Sequence, residues 1–436
     1  MTTIDANGIF WDADAPEHQV PGRLRFDSQA GIELALTGAF DDVPDTDTTP
    51  GVPIPARQIH GVAGDGIYTL LGCGSSNYQY RLPGVFQSQT FLAQALLKGV
   101  HLAPSDLAGV TSIAIQSRHL ASWADYARAV EEHDYDERSG RLVEYRLSYR
   151  PPTEDPALNP DAEISLRPTF QISGASSRQA RLDYGCVLKL ETSGPSRIED
   201  LIGRAITIRN LLSLAIDAPE LIESAFLSHP DYLEDGLHGT QRPIAFELFR
   251  RWDHNPPSYP ERDVQRFDML FTLSDLGGLE GIGNWLELSA EYDVIIQSAL
   301  AMQFMPAQFV DARFLSVAGS ADALARIHSG DADMEYRQRL EYLGNLAGNV
   351  FTDWVGDLEL WSKVVKEERN NVAHGEDKST YQRYRPPRQF LSHSVYYLVI
   401  LCLMRVLGVG AVAIEGMREK HQFIQLQEMF SHYFTS

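Results

Sequence analysis

Basic side chains are in short supply: Lys plus Arg number 37 against 59 Asp plus Glu over 436 residues, a formal net charge of −22. Affinity for nucleic acid by bulk charge comes from neutralising phosphates with Lys and Arg, so this balance excludes a protein held on RNA or DNA by its overall field and leaves room only for a local basic site. Cysteine is scarcer still. Cys73, Cys186 and Cys402 are too few and too scattered for a disulfide framework or a cysteine zinc cluster, and they point to a reducing cytoplasm. The N-terminus MTTIDANGIFWDADAP lacks a basic start and an apolar core, so it does not read as a secretory signal. Long hydrophobic runs are also lacking. The most apolar stretch, Val395–Ile414, is broken by Arg405 and followed through by Gly408 and Gly410, which predicts a buried helix with a turn rather than a membrane span.

Hydrophobic residues make up 44% and charged residues 22%, ordinary globular composition for a chain of about three domains' length. Up to about residue 190 the pattern is of short alternating runs bounded by Gly, Pro, Asp and Ser. Gly22–Phe26, Gly31–Leu36, Gly66–Leu71, Leu142–Tyr149 and Gln179–Leu190 predict strands, and Arg242–Trp252 and Phe267–Leu273 two more. Asp41–Pro55 and Pro151–Ala162 predict loops. The result is an antiparallel sheet or sandwich. Against it packs a helix from Ser196, where Ser196 and Glu199 have capping-box spacing.

Asp275–Gly283 (DLGGLEGIG) lacks the spacing of a nucleotide loop and is read as a flexible linker at the domain boundary. Beyond it, Asn284–Phe304, Asp311–His328, Asp333–Leu346, Thr352–His374, Phe390–Leu407 and Ala411–Phe430 predict six antiparallel helices in a compact bundle. The fold class is therefore α+β. Residues 1–283 form a β-rich region, divisible at about residue 150, and residues 284–436 an all-α bundle.

The chemistry-bearing candidate is Arg369-Asn370-Asn371-Val372-Ala373-His374. Arg and His at this spacing occur three times, at Arg128/His133, Arg369/His374 and Arg388/His393, but only Arg369 is followed by Asn. Glu131 and Glu132 between Arg128 and His133 would repel phosphate, and Arg388 directly follows two prolines at a helix start. With Leu358, Trp361, Val365 and Val372 as the buried stripe, ~100° per residue places Asn370 and His374 together on the opposite face. An imidazole takes a proton near neutral pH, a guanidinium holds charge on a phosphate, and an amide orients an oxygen. One His cannot be base and acid at once, so a symmetric dimer with two motifs face to face suits this set. A solvated helix end, with His374 complementing the dipole and Gly375 as C-cap, fits the same residues.

Immediately after the motif, Lys378 to Arg388 carry Lys378, Tyr381, Arg383, Tyr384, Arg385 and Arg388 and no acid. Residues 361–436 hold 10 Lys plus Arg against 7 Asp plus Glu. A basic, aromatic loop of this kind tracks a single-stranded backbone and stacks bases, and it also suits a solvated crossover.

The R-N-x-x-x-H motif late in a helical region resembles the HEPN superfamily of RNA-cleaving domains. The resemblance covers about 284–436 and implies a dimer, a composite site and RNA cleavage without a metal or cofactor. Arg369 and His374 match the motif's Arg and His, and Asn370 its polar residue. A long β-rich part before such a domain, with Leu96–Asp125 as its most similar passage, resembles the ApeA family of bacterial anti-phage proteins. That resemblance implies an abortive-infection endoribonuclease acting on tRNA or other host RNA. It also implies a homodimer or higher homo-oligomer, no membrane, and a phage-derived protein trigger at the N-terminal region.

Two other readings stand beside it. One is a non-catalytic bundle that binds RNA or dimerises, with a protein-binding β-rich part. The other is an enzyme site in the N-terminal part, where His60, His101 and His119 are isolated and read as structural.

Overall fold

The computed structural model describes residues 3–40, 57–64, 66–81, 86–125, 129–149, 157–159, 162–173, 181–235, 239–252, 264–305, 309–375 and 386–434. The N-terminal part is antiparallel throughout its described strands. β1 (Ile4–Asp12), β2 (Val20–Asp27), β3 (Gly31–Leu36), β4 (Arg57–Ala63), β5 (Gly66–Arg81) and β6 (Phe86–Ala93) run in the order β5-β4-β1-β2-β3-β6, and β6 pairs back onto β5. The ring is therefore closed, which removes both sheet edges. Strict alternation makes this possible. Leu24 and Phe26 of β2 and Ile32, Leu34 and Leu36 of β3 point inward with Phe10 and Phe91, while Arg23, Arg25 and Glu33 face water.

β5 is longer than its neighbours and changes partner along its length. Its later residues pair with β6, whereas Tyr68–Leu71 pair with β7 (Ala95–Lys98). Through β7 the ring continues into an open sheet of β15 (Gln241–Phe249), β14 (Ile222–Asp235), β8 (Val110–Ser117), β13 (Arg181–Ser196), β12 (Ala162–Ser173) and β11 (Ala157–Asn159). β9 (Ala129–Tyr135) and β10 (Leu142–Tyr149) form a separate two-stranded sheet.

α1 (Leu120–Ala124) and α2 (Ile198–Ile216) pack on the open sheet. The expected capping box is not formed. Ser196 is the last residue of β13, paired with Val110, so Arg197 becomes the N-cap without a side-chain bond. Phe267–Leu273, expected as a strand, is a 3₁₀ turn followed by irregular chain. Met269, Leu270 and Phe271 are buried in succession rather than alternately, and the backbone bonds run to helices: Leu270 N–H to Ala215 O at 2.7 Å, Leu273 N–H to Trp123 O at 3.2 Å.

The glycine segment is no flexible linker. Leu279–Gly283 begin α3 (Leu279–Phe304), and Gly281, Ile282 and Gly283 are buried. Gly281 fits because a Cβ there would collide with the Leu276 carbonyl. Seven more helices follow: α4 (Val310–Ser329), α5 (Tyr336–Ala347), α6 (Asn349–Val355), α7 (Leu358–His374), α8 (Arg388–Val406), α9 (Ala411–Gly416) and α10 (His421–Phe434).

The six expected helices are thus eight among the described residues, because two split. Thr352–His374 breaks at Gly356, which adopts φ +80°, and Asp357, whose carboxylate accepts the Leu360 N–H at 2.9 Å, starts α7 afresh. Ala411–Phe430 breaks at the 3₁₀ turn Met417–Glu419.

One apolar core joins the open sheet, α2 and the bundle without interruption. α8 runs through its middle. By length and composition it is the one described helix that could cross a membrane, and most of it is buried inside the protein. Arg405, which interrupts the run, turns back to donate from Nε to Ala347 O at 2.9 Å at the end of α5. A cation there complements the carbonyl end of that helix.

Candidate functional site

α7 presents the motif on its last turn and a half. Its buried stripe is Trp361, Val364, Val365, Glu368 and Asn371, the three-and-four spacing of a helix against a core. Trp361 fixes the helix on α8 through Nε1–H to Ser394 Oγ at 3.0 Å. Gly375 closes it in the left-handed conformation, φ +65°, with its N–H on the carbonyls of Asn371 and Val372.

That arrangement leaves Arg369 and His374 exposed and Asn370 half-buried. Arg369 and Asn370 touch, Nη1 to Oδ1 at 3.3 Å. The Arg369 guanidinium also lies 5.2 Å from the centre of the Tyr336 ring at the start of α5, a cation–π contact. His374 projects from the helix end. Among the described residues no hydrogen bond or ion pair joins it to Arg369 or Asn370 within the single chain.

Beneath the motif lies a charge that the sequence reading missed. Glu368 is buried and takes Arg388 Nε at 2.6 Å and Nη2 at 2.5 Å, while Arg388 also pairs with Asp311 of α4. Arg388, proposed from sequence for RNA binding, is thereby engaged by two carboxylates. A signal for Glu368 was there: an acid on the apolar stripe of a helix demands a cation. Nothing in the sequence marked Tyr336, which approaches Arg369 from a helix 33 positions earlier. Lys378, Tyr381, Arg383, Tyr384 and Arg385 lie outside the described residues.

The remaining histidines sort plainly. His133 lies on β9 beside Tyr145, ring centres 5.1 Å apart, and 3.9 Å from Glu131; its counterpart Arg128 lies outside the described residues. His119 is buried, Nδ1 bonded to Glu220 at 2.6 Å and Nε2 accepting the Val264 N–H at 3.2 Å, so both nitrogens hold structure. His60 and His101, expected to be isolated, instead stack at 5.0 Å with Trp11 edge-on to both, and each bonds a backbone carbonyl, Leu102 O and Gly61 O. Burial pushes His60 below its ordinary value, and His101 adds to that.

His393, the third histidine at motif spacing, is also held down by burial. Its Nδ1 bonds the Gln389 carbonyl at 2.7 Å. All three cysteines are free and buried, and burial pushes the Cys73 and Cys186 thiols up to about 12. They are poor nucleophiles. Among the described residues no three of His, Cys, Asp and Glu gather in metal-binding geometry.

An exposed guanidinium and imidazole with a half-buried amide on one helix end can neutralise a phosphate, orient it and move a proton. No curated protein and no solved structure matches the chain. A family model described as ApeA N-terminal domain 1 matches residues 5–285, the closed ring, the open sheet, α2 and the first turns of α3. That is more than half of the sequence, and the chain belongs to the ApeA family, the resemblance first suggested by its β-rich part.

Proposed function

We propose that the chain is an endoribonuclease of anti-phage defence whose helical part is a HEPN-like domain. The reading rests on one observation above the rest: Arg369, Asn370 and His374 share an exposed helix end, with Arg369 and Asn370 in contact. Membership of the ApeA family supports the setting, and the helical bundle after residue 279 supports the domain type.

In the proposed reaction His374 takes the proton of an RNA 2′-hydroxyl, and that oxygen bonds to the adjacent phosphorus. The bond from phosphorus to the 5′-oxygen breaks, leaving a 2′,3′-cyclic phosphate, and the 5′-oxygen departs with a proton. Arg369 holds the charge that grows on the phosphoryl oxygens, and Asn370 orients them. The proton for the leaving group comes from the protonated His374 of a second copy. The site is therefore composite across a homodimer and takes neither metal nor cofactor. The stretch 378–385, with Arg383, Arg385 and the two tyrosines, guides the single strand. Cytoplasmic RNA, with tRNA among the candidates, is the substrate, and a phage-derived protein met by the β-rich part is the trigger.

The test is RNA-end sequencing after induction of the wild type and of His374→Ala in cells challenged with phage, with EDTA added in the purified assay. Cyclic-phosphate ends that depend on His374 and survive EDTA are expected. Equal ends in the variant, or none in either protein during a phage challenge that the wild type resists, would overturn the assignment; the second result favours a bundle that only binds RNA or dimerises.

A further inference from the structure

The β9–β10 hairpin stands apart from the rest of the chain, as a sheet of its own with its described side chains largely in water. An isolated two-stranded hairpin is marginal at best in water. This one also exposes large apolar groups. Val143 is 66% accessible, Tyr145 50% and Leu147 46%. Among the described residues no strand pairs with the outer edge of β10. A free edge with apolar residues at alternate positions is a template for another strand.

The order of residues along β10 says which strand. Tyr145 lies at the centre, flanked by Glu144 and Arg146, and beyond them by Val143 and Leu147. If β10 pairs antiparallel with itself about Tyr145, Tyr145 meets Tyr145 and Glu144 meets Arg146 on both sides of the two-fold axis, within the part of β10 that follows the bulge at Val143. The tyrosines fall on one face and the ion pairs on the other, because the strand period is two.

Within the single hairpin Glu144 faces Asp134, a like-charge pair that costs stability. Among the described paired residues Arg146 is the one cation on this face, 3.1 Å from Glu132 and 2.9 Å from Glu144. A second Arg146 beside Glu144 relieves the excess. The edge of β9 has no such charge complement: paired about His133, Glu132 would meet Asp134 on both sides of the axis.

We propose that the outer edge of β10 is a two-fold interface between two copies of this chain, joining two hairpins into a four-stranded sheet. This interface lies on the β-rich part and does not rest on the ribonuclease reading. With a second two-fold at the motif helix it would build assemblies larger than a dimer.

The test uses the full chain carrying Glu144→Arg or Arg146→Glu, alone and mixed in equal amounts, with mass and self-association measured by sedimentation. Each single variant places like charges across the axis and is expected to weaken the association at least 10-fold. The mixture restores it, because one copy then presents two arginines and the other two glutamates. Tyr145→Cys reports on this edge alone, since the native cysteines are buried. It is expected to form a covalent dimer on mild oxidation in the wild-type background and not with Glu144→Arg. Unchanged association in both single variants, failure of the mixture to restore it, or no Tyr145→Cys dimer would overturn the proposal. Circular dichroism of each variant confirms that the fold is retained.

Discussion

Arg388 reaches back from the first turn of α8 to Glu368 on α7, Nε to Oε1 at 2.6 Å, and so ties the motif helix to the helix that follows it. Glu368 immediately precedes Arg369, and its carboxylate is almost wholly buried, with 3% of the side chain accessible. Arg388→Ala would remove the Arg388 guanidinium from that buried carboxylate. Loss of one partner from a buried pair costs about 3 kcal/mol. The expected outcome is a fall of that size in unfolding free energy by urea titration. Glu368→Gln, which keeps the shape and removes the charge, is expected to cost about half as much.

Arg369 makes a different kind of claim. Its planar guanidinium lies against the Tyr336 ring, a contact that an ammonium matches poorly. If the ribonuclease reading holds, Arg369→Lys retains the charge and still loses about 10²-fold in cleavage rate. Because the residue is exposed, the change is expected to alter stability by less than about 0.5 kcal/mol. A cleavage assay and a thermal melt on the same preparation separate the two effects.

Asp217 predicts a pH dependence. It ends α2 in the left-handed conformation, φ +52°, and its carboxylate accepts Tyr396 OH at 2.8 Å, Tyr397 OH at 2.6 Å and Gln422 Nε2 at 3.2 Å. Burial raises its pKa above the ordinary 3.8 in spite of these donors. A carboxyl raised by folding contributes its stability fully below the unfolded value and loses it as pH rises through the folded one. Asp217→Asn is expected to flatten that part of the stability profile above about pH 4, since Asn tolerates the backbone and carries no charge. Asp217→Ala, which leaves three donors unpaired, is expected to cost about 2–3 kcal/mol at any pH in that range.

His119 offers a test inside the open-sheet region. It bonds Glu220 and the Val264 N–H, both buried. His119→Ala leaves the Glu220 side chain without its ring partner, and a loss of about 3 kcal/mol in unfolding free energy is expected. Cleavage by the folded fraction is expected to be unchanged, which would separate this histidine from His374.

Much of the architecture was legible along the chain. β2 and β3 alternate so regularly that their strands could be read directly, and the helices from α3 onward announced themselves by spacing. What failed did so for local reasons. Ser196 had the residue pattern of a cap but was recruited into β13 by pairing with Val110. Phe267–Leu273 looked like a strand because apolar residues cluster there, yet Leu270 and Leu273 bond the backbones of α2 and α1.

By itself the sequence determined the α+β class, the apolar faces, and the face of α7 that carries Asn370 and His374. Periodicity and side-chain chemistry are properties of neighbours along the chain. Only the tertiary structure decided that six strands close into a ring, that Tyr336 lies under Arg369, and that Arg388 is claimed by Glu368 and Asp311. Those relationships depend on which distant segments meet, and burial forces each charge or donor it encloses to find a partner wherever the fold supplies one.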